Sequence, residues 1–357
     1  MSSGPPRLPG ISVVVPVYQV AEFLPACLDS ILAGDFDIEV IAVDDASPDG
    51  SGAILDQRAA ADPRLRVVHL QQNGGQGNAR NVALEQAVGE YLWFVDGDDM
   101  VADGGLAAIT ASLAQGKPDV LLINWESLYP GDRTEPNPYA SLLPAVPADG
   151  CTLEEQPQLI NLTMTSWSKL FRRDFLSGLG VSFAGGIHED ILVTCAALLG
   201  ADVIGAVDAV CYRYRRDRKG SALATTSRGH FAVFDAYHRV FELLTSRDAA
   251  GKPVSDALRA AIFERAIWHY TTVLQTTGIG VGPVGLPGLV PRAERHRFFR
   301  LMHEDFERYR PASYQHPGGA RGAKLRLVDG GAYWTYSWLE PLNQARVAVH
   351  KLVQSRP

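Results

Sequence analysis

The sequence predicts an α/β protein: a mostly parallel central sheet with helices on both faces, followed by a helical C-terminal extension. Three observations predict it. The first hundred or so residues alternate short runs rich in β-branched residues with segments of helical period. Acidic residues follow the second and fourth of these runs directly. From about Ser227 onward, apolar residues recur almost throughout at helical spacing.

Taken in order, the strand candidates are Ile11 to Val17, Ile38 to Val43, Arg66 to Leu70 and Tyr91 to Val95. Helices are expected between them at Val20 to Ala33, Asp49 to Ala61 and Gln76 to Val88. Such alternation builds βαβ units, whose crossovers cover a parallel sheet on both faces. Asp119 to Asn124 reads as a fifth strand, and the proline-rich, polar stretch Trp125 to Gly150 as an irregular excursion. Helical patterns return at Leu153 to Thr165 and Asp190 to Leu199. The helical tail is interrupted near Gly278 to Pro291 and at Gln315 to Gly319. The expected division is a flexible N-terminus at 1–10, an α/β domain at 11–226 with halves 11–124 and 125–226, and the helical extension at 227–357.

Of the 357 residues, 46% are hydrophobic and 20% charged, which excludes disordered and fibrous classes. A net charge of -7 gives no overall basic field for nucleic acid. From Pro291 to Pro357, however, 12 Lys/Arg stand against 6 Asp/Glu. That segment suits an anionic acceptor or an anionic membrane surface, and equally an ordinary solvated helical face. Cys27, Cys151, Cys195 and Cys211 form no metal-binding spacing and read as buried thiols in a reducing compartment. The polar, proline-rich first residues are no secretory signal. Neither apolar stretch long enough to span a bilayer is clean: Ile191 to Cys211 contains Asp202 and Asp208, and Tyr270 to Val290 holds five glycines and two prolines. The expected location is cytoplasmic, with a peripheral place at the inner face of the cell membrane as a further expectation.

Open parallel sheets bind ligands beyond the carboxyl ends of their strands. Asp96-Gly97-Asp98-Asp99 follows the fourth strand. Clustered carboxylates repel unless a cation is present, and hard oxygen ligands suit Mg²⁺ or Mn²⁺ sharing phosphate oxygens. An ordinary Asp-rich turn explains that run alone equally well. Val43-Asp44-Asp45-Ala46-Ser47-Pro48-Asp49-Gly50-Ser51 follows the second strand. A carboxylate there can accept from a nucleobase N–H, while Ser47 or Asp49 caps the next helix. Asn73-Gly74-Gly75-Gln76-Gly77-Asn78-Ala79-Arg80-Asn81 is a glycine-rich turn opening a helix. Its backbone N–H groups, with Arg80 one turn later, form a candidate diphosphate site. It lacks the Gly-Lys-Ser/Thr ending of a Walker motif.

Together these elements resemble the family 2 glycosyltransferases of the GT-A fold. Val14-Val15-Pro16-Val17-Tyr18 is similar to that family's opening strand and proline-tyrosine turn, with Gln19 where Asn is usual. Val43 to Ser51 resembles its acidic second-strand motif, Asn73 to Asn81 its glycine/arginine turn, and Asp96 to Asp98 its DxD metal site. The resemblance implies that Pro16, Tyr18 and Asp44 line a nucleoside pocket, with Asp45 as the alternative partner of the base. Asn73, Gly74, Arg80, Asp96 and Gly97 belong near the ribose and diphosphate, and Asp98 with Asp96 at Mn²⁺ or Mg²⁺.

Gly186-Ile187-His188-Glu189-Asp190 resembles the Glu-Asp motif that starts an acceptor-side helix. By that likeness Asp190 is the general base, Glu189 orients the acceptor or the helix start, and His188 lies on the acceptor side. Without the resemblance the pair reads as an acidic first helical turn. Trp167-Ser168-Lys169-Leu170-Phe171 resembles an acceptor-side Trp-x-Lys-Leu-Phe segment, placing Lys169 there. Trp167 either stacks on a sugar face or lies buried beneath the site. Cys211 to Ser221 holds five cations against one acid. It reads as a lid contacting the diphosphate through Arg215, Arg216 and Ser221, or as a solvated turn.

The activity implied is inverting transfer from a nucleotide-sugar, UDP-linked, to a carbohydrate or polyol-phosphate acceptor. Asp45 to Asp56, Leu170 to Leu176 and Pro317 to Gly322 are further similar to the transferase domain of actinobacterial bifunctional proteins of the teichoic acid type, which suggests a cell-wall polymer. Two other readings stand beside it. One is a nucleotidyltransferase, which would want a basic glycine-rich signature where Pro16-Val17-Tyr18 stands. The other is a non-catalytic scaffold, against which Asp98 and Asp190 count.

Overall fold

A computed structural model describes residues 10–216, 225–274 and 289–338. The chain divides into two compact units, Met1–Arg218 and Lys219–Pro357.

The first unit opens with β1 (Ile11–Val17), α1 (Leu24–Leu32), β2 (Ile38–Asp44), α2 (Ser51–Ala61), β3 (Leu65–His69), α3 (Gln76–Leu84) and β4 (Tyr91–Phe94). It continues with β5 (Met100–Val101), α4 (Gly105–Gln115), β6 (Val120–Tyr129), β7 (Arg133–Pro136), β8 (Lys169–Arg172), α5 (Arg173–Gly178), α6 (Asp190–Gly200) and β9 (Ile204–Arg215). One sheet runs in the order β3-β2-β1-β4-β8-β6-β9-β5, with β7 paired to β6. β3, β2, β1 and β4 are parallel, whereas β8 is antiparallel to both β4 and β6. Strand order reverses beside β1, whose neighbours are β2 and β4, and a crevice at such a switch point is where open α/β sheets bind ligands.

The strands are long apolar runs because both of their faces are covered: every residue of β1 and β4 is buried. α1 buries Leu24, Cys27, Leu28 and Ile31, the one-face spacing of a helix. It starts at Leu24 rather than Val20 because Pro25 fits the first helical turn and Gln19 lies in the left-handed region at φ 53°. α2 starts at Ser51, since Asp49 Oδ1 accepts from the Ser51 N–H and hydroxyl and Gly50 turns left-handed at φ 87°.

The second half departs further from its sequence pattern. β6 runs on to Tyr129 and turns through left-handed Gly131 and Asp132 into β7, where an irregular stretch was expected. The predicted helix at Leu153 to Thr165 reduces to a single 3₁₀ turn, Pro157–Asn161. The apolar run from Ile191 splits at Gly200 into α6 and β9. All four cysteines are buried thiols, outside any disulfide.

The second unit is helical over its described residues: α7 (Ala232–Ala249), α8 (Asp256–Leu274), α9 (Arg295–Tyr309) and α10 (Gly319–Asp329), with residues 333–338 also helical. Phe234, Tyr237, Tyr270, Phe298 and Phe306 fill its core. Inside that core Asp305 accepts from Tyr270 Oη at 2.9 Å and lies 2.8 Å from His238 Nε2. Among the described residues no helix is long and apolar enough to cross a membrane.

Candidate active site

At the end of β4 the chain turns sharply through Asp96-Gly97-Asp98-Asp99. Gly97 is pressed so close to the end of β1 that an added Cβ would meet Pro16 O at 3.2 Å and Val20 at 3.1 Å. Asp99 is buried; its Oδ2 accepts from Tyr212 Oη at 2.6 Å and its Oδ1 from the Arg215 N–H at 2.7 Å. The Tyr212 hydroxyl in turn accepts from the Asp96 N–H at 3.1 Å. Burial, then the charges of Asp98 and Asp96, push the Asp99 carboxyl well above the ordinary carboxylate range. Three acids are thus held within one another's electrostatic reach, an arrangement that a hard divalent cation relieves. Among the described residues no three His, Cys, Asp or Glu side chains form a cage for an ion. A donor set of Asp96 and Asp98 alone would leave a hard divalent cation to complete its shell with water and phosphate oxygens.

At the end of β2 both acids are already engaged. Asp44 Oδ1 accepts from the Ser47 N–H at 2.9 Å, and its Oδ2 lies 2.9 Å from His69 Nδ1. Asp45 is 2% exposed and receives the Gly74 and Gly75 N–H groups at 2.7 and 2.8 Å. The glycine-rich turn, expected to present these N–H groups to a diphosphate, instead directs two of them at Asp45. The reason is local: the turn follows β3, whose neighbour β2 ends in that buried carboxylate. Asn73 remains exposed, and Tyr18, at the mouth of β1, is 41% exposed over buried Pro16.

Arg80 also differs from its expected place beside the ribose and diphosphate. It is 1% exposed, and its guanidinium donates to Asp96 Oδ1 at 2.8 Å, Glu189 Oε1 at 2.9 Å and Asp190 Oδ1 at 2.5 Å. Burial alone would lower its pKa, but Asp190, Asp96 and Glu189 outweigh burial and hold it above the usual arginine value. Its Nε has no partner among the described residues, and the group packs 5.3 Å from the Phe183 ring centroid. Gln76 Nε2 adds a bond to the same Asp96 Oδ1 at 2.6 Å.

Glu189 and Asp190 start α6 after a turn in which His188, half-buried, lies at φ 69°, a conformation uncommon for a residue with a side chain. Burial and the Asp190 charge push Glu189 up to about 7, against the pull of Arg80. Asp190 is raised by burial, with Arg80 and the Ser166 N–H opposing the shift. Asp190 Oδ1 accepts from Ser166 Oγ at 3.2 Å and Oδ2 from Ser166 N at 3.0 Å.

Of the two readings of Trp167 the structure has the buried one, and Lys169, expected on the acceptor side, is buried as well. Trp167 is stacked on Tyr212 at 4.6 Å and on Tyr214 at 5.3 Å, with Trp125 edge-on at 5.2 Å. Lying 4% exposed, it has no face for a sugar. Lys169 is fully buried, and its Nζ donates to the carbonyls of Thr163 and Thr165, which belong to non-helical backbone. Arg215 lies along the Phe23 ring and donates from Nε to Asp98 O at 2.8 Å, and Arg216 sits over Tyr214. Ser221 lies outside the described residues. Sequence reasoning missed Tyr212, Ser166, Gln76 and Asn81. Of these only Tyr212 carried a signal: the period-two Cys211-Tyr212-Arg213-Tyr214-Arg215 pattern of a strand with one face inward.

Comparison with known proteins gives three findings. The model of the glycosyl transferase family 2 matches residues 12–180. Over 214 residues the chain is 31% identical to the uncharacterized glycosyltransferase EpsJ of Bacillus subtilis, 59% of this chain and 62% of that protein. Over 220 residues it is 31% identical to the poly(ribitol-phosphate) beta-N-acetylglucosaminyltransferase TarS of Staphylococcus aureus, 60% of this chain and 37% of that one. The aligned part is thus less than two thirds of either relative's length. The crystal structure of residues 1–349 of S. aureus TarS in complex with UDP-GlcNAc superposes with a TM-score of 0.70 at 22% identity, covering 94% of this chain and 91% of that one. The shared sheet and helices are the GT-A fold.

Proposed function

We propose that this protein, whose residues 12–180 match the model of glycosyl transferase family 2, moves a sugar from a UDP-linked donor to an acceptor hydroxyl, with inversion at the anomeric carbon. The observation that carries the reading is the meeting of two sets of acids on one guanidinium. Asp96, at the strand end facing the switch-point crevice, and Glu189-Asp190, at the start of α6, all bind Arg80. An arrangement that fixes a donor-side acid against an acceptor-side acid suits direct displacement between two bound substrates.

Tyr18, Pro16 and Asp44 bind the nucleoside, and Arg215 and Arg216 stand beside the diphosphate. Asp98 and Asp96 would hold Mn²⁺ or Mg²⁺, which offsets charge on a departing diphosphate. Asp190 Oδ2 accepts a single hydrogen bond among the described residues, which leaves it capacity for an incoming hydroxyl. The acceptor proton passes to that oxygen as the acceptor oxygen bonds to the anomeric carbon and the carbon–phosphate-oxygen bond breaks. Glu189 and His188 flank this position and orient the acceptor. The similarity to TarS supports a carbohydrate or polyol-phosphate acceptor in a cell-surface glycopolymer, made at the inner face of the membrane.

The test is a donor screen with Mn²⁺, reading release of nucleoside diphosphate for each candidate sugar nucleotide, with and without chelator. Release from a UDP-sugar that chelation abolishes is expected. Binding of no nucleotide at all would sink the proposal in favour of a scaffold, and release of pyrophosphate from a nucleoside triphosphate would replace it with nucleotidyl transfer.

A further inference from the structure

In the second unit, Trp334 and Trp338 stand one helical turn apart within 333–338 and are 73% and 72% exposed. The next most exposed large hydrophobic side chain among the described residues is Tyr18 at 41%. Two neighbouring aromatic side chains seat the stretch: buried Tyr336 packs on Phe299, and half-buried Tyr333 lies edge-on to Phe299 and His296. The stretch is therefore seated by one face and presents two indoles on the other. Such rings suit a boundary that is apolar on one side and wet on the other, where the ring is buried and its N–H stays hydrogen-bonded.

Charge selects among the surfaces that offer this boundary. Trp334 lies against His296 near the start of α9, 6.3 Å between ring centroids. From Arg292 to Arg300 that end carries Arg292, Arg295, Arg297 and Arg300 against the single acid Glu294. Arg292, Arg297 and Arg300 are exposed, and the acids of α9 lie at its far end, Glu304, Asp305 and Glu307. The Arg297–Glu294 and Arg300–Glu304 contacts, long at 3.7 and 3.6 Å and made by exposed arginines, do little to cancel the field, and Glu294 is also paired to Arg228. A second copy of this face would set arginine against arginine, whereas anionic headgroups meet the basic rim and admit the indoles between them.

We infer that Trp334 and Trp338, flanked by the arginines at the start of α9, form a docking surface for an anionic lipid bilayer, engaged peripherally. The inference stands on the second unit and does not depend on the proposed sugar transfer.

The full chain is mixed with vesicles of phosphatidylglycerol and, separately, of phosphatidylcholine, and bound protein is read by sedimentation and by the tryptophan emission maximum. Binding to phosphatidylglycerol with a blue-shifted emission is expected, reversed by high salt and at least about tenfold weaker on phosphatidylcholine. Trp334→Ser with Trp338→Ser, and separately Arg292→Gln with Arg297→Gln and Arg300→Gln, should each weaken binding about tenfold or more at unchanged circular dichroism. Should the tryptophan variant misfold, the arginine variant decides. Absence of vesicle binding by the full chain, equal binding to both lipids, or full affinity in a folded variant overturns the inference. So does a parent oligomer that ignores vesicles and that the tryptophan variant dissociates, which would assign the face to a second copy.

Discussion

Arg80 is the side chain on which the acids of the site depend for counter-charge. Its replacement by Ala leaves Asp96, Glu189 and Asp190 gathered in a partly desolvated space without a cation. Breaking a buried pair in this way costs about 3–5 kcal/mol. Arg80→Ala should therefore lower the unfolding free energy by that much, read from the fall in denaturant midpoint, and Arg80→Lys by less, since one ammonium keeps the charge but cannot fork to three carboxylates. An unchanged midpoint in Arg80→Ala would show that the acids relax into water and that the guanidinium organises nothing. Asp190→Asn tests the proposed base: donor affinity should stay within about threefold while transfer falls at least about 100-fold. Full transfer in that variant would move the role to Glu189, which burial already pushes up to about 7.

Among the elements, α3 ties the two halves of the site together. Asp45 fixes the turn before it, Gln76 and Arg80 hold Asp96, and Asn81 clips both backbone groups of Phe183, donating to its carbonyl at 2.9 Å and accepting from its N–H at 3.0 Å. A Cβ at Gly77 would meet Ala184 O at 2.0 Å, so Gly77→Ala should displace the segment leading to Glu189 and cut transfer more than donor binding. Equal losses in both would place the damage in α3 itself. A second clamp joins β2, α2 and β3, where His69 lies between Asp44 at 2.9 Å and Asp56 at 3.0 Å. The bond to Asp44, then that to Asp56, raises the His69 pKa. The stability it adds is complete below the unfolded histidine value of about 6.5 and is lost as pH rises through the raised folded value. His69→Gln should flatten unfolding free energy across that window, and identical slopes in both proteins would mean that the clamp does not titrate. β1, β2 and β4 were legible because runs buried on both faces leave continuous apolar sequence, and β3 by its paired valines. The choice between the two readings of Trp167 was not, because the tyrosines that stack on it arrive some 45 residues later on a strand whose apolar start runs on from α6.

For the whole molecule, every described residue of the proposed site lies in the first unit, Met1–Arg218. A chain of residues 1–218 should therefore keep its donor dissociation constant within about threefold, less than 1 kcal/mol, by calorimetric titration. Loss of binding by a fragment with unchanged circular dichroism would overturn that expectation. The motifs made the N-terminal half of the site readable, yet they did not show that the strand carrying Tyr212 and Arg215 closes it, since pairing across more than a hundred residues leaves no local pattern. Tyr212 reaches Asp99 over a separation of 113 residues, Arg215 over 116, and Arg80 reaches Asp190 over 110. Such distant contacts form late, after the loops between them have closed. During synthesis Asp99 emerges long before the Tyr212 hydroxyl and the Arg215 N–H that bond it, so a ribosome-bound fragment ending short of β9 lacks both of these donors to that carboxylate. The turn after β4 gains its last two bonds only when β9 takes its place between β6 and β5.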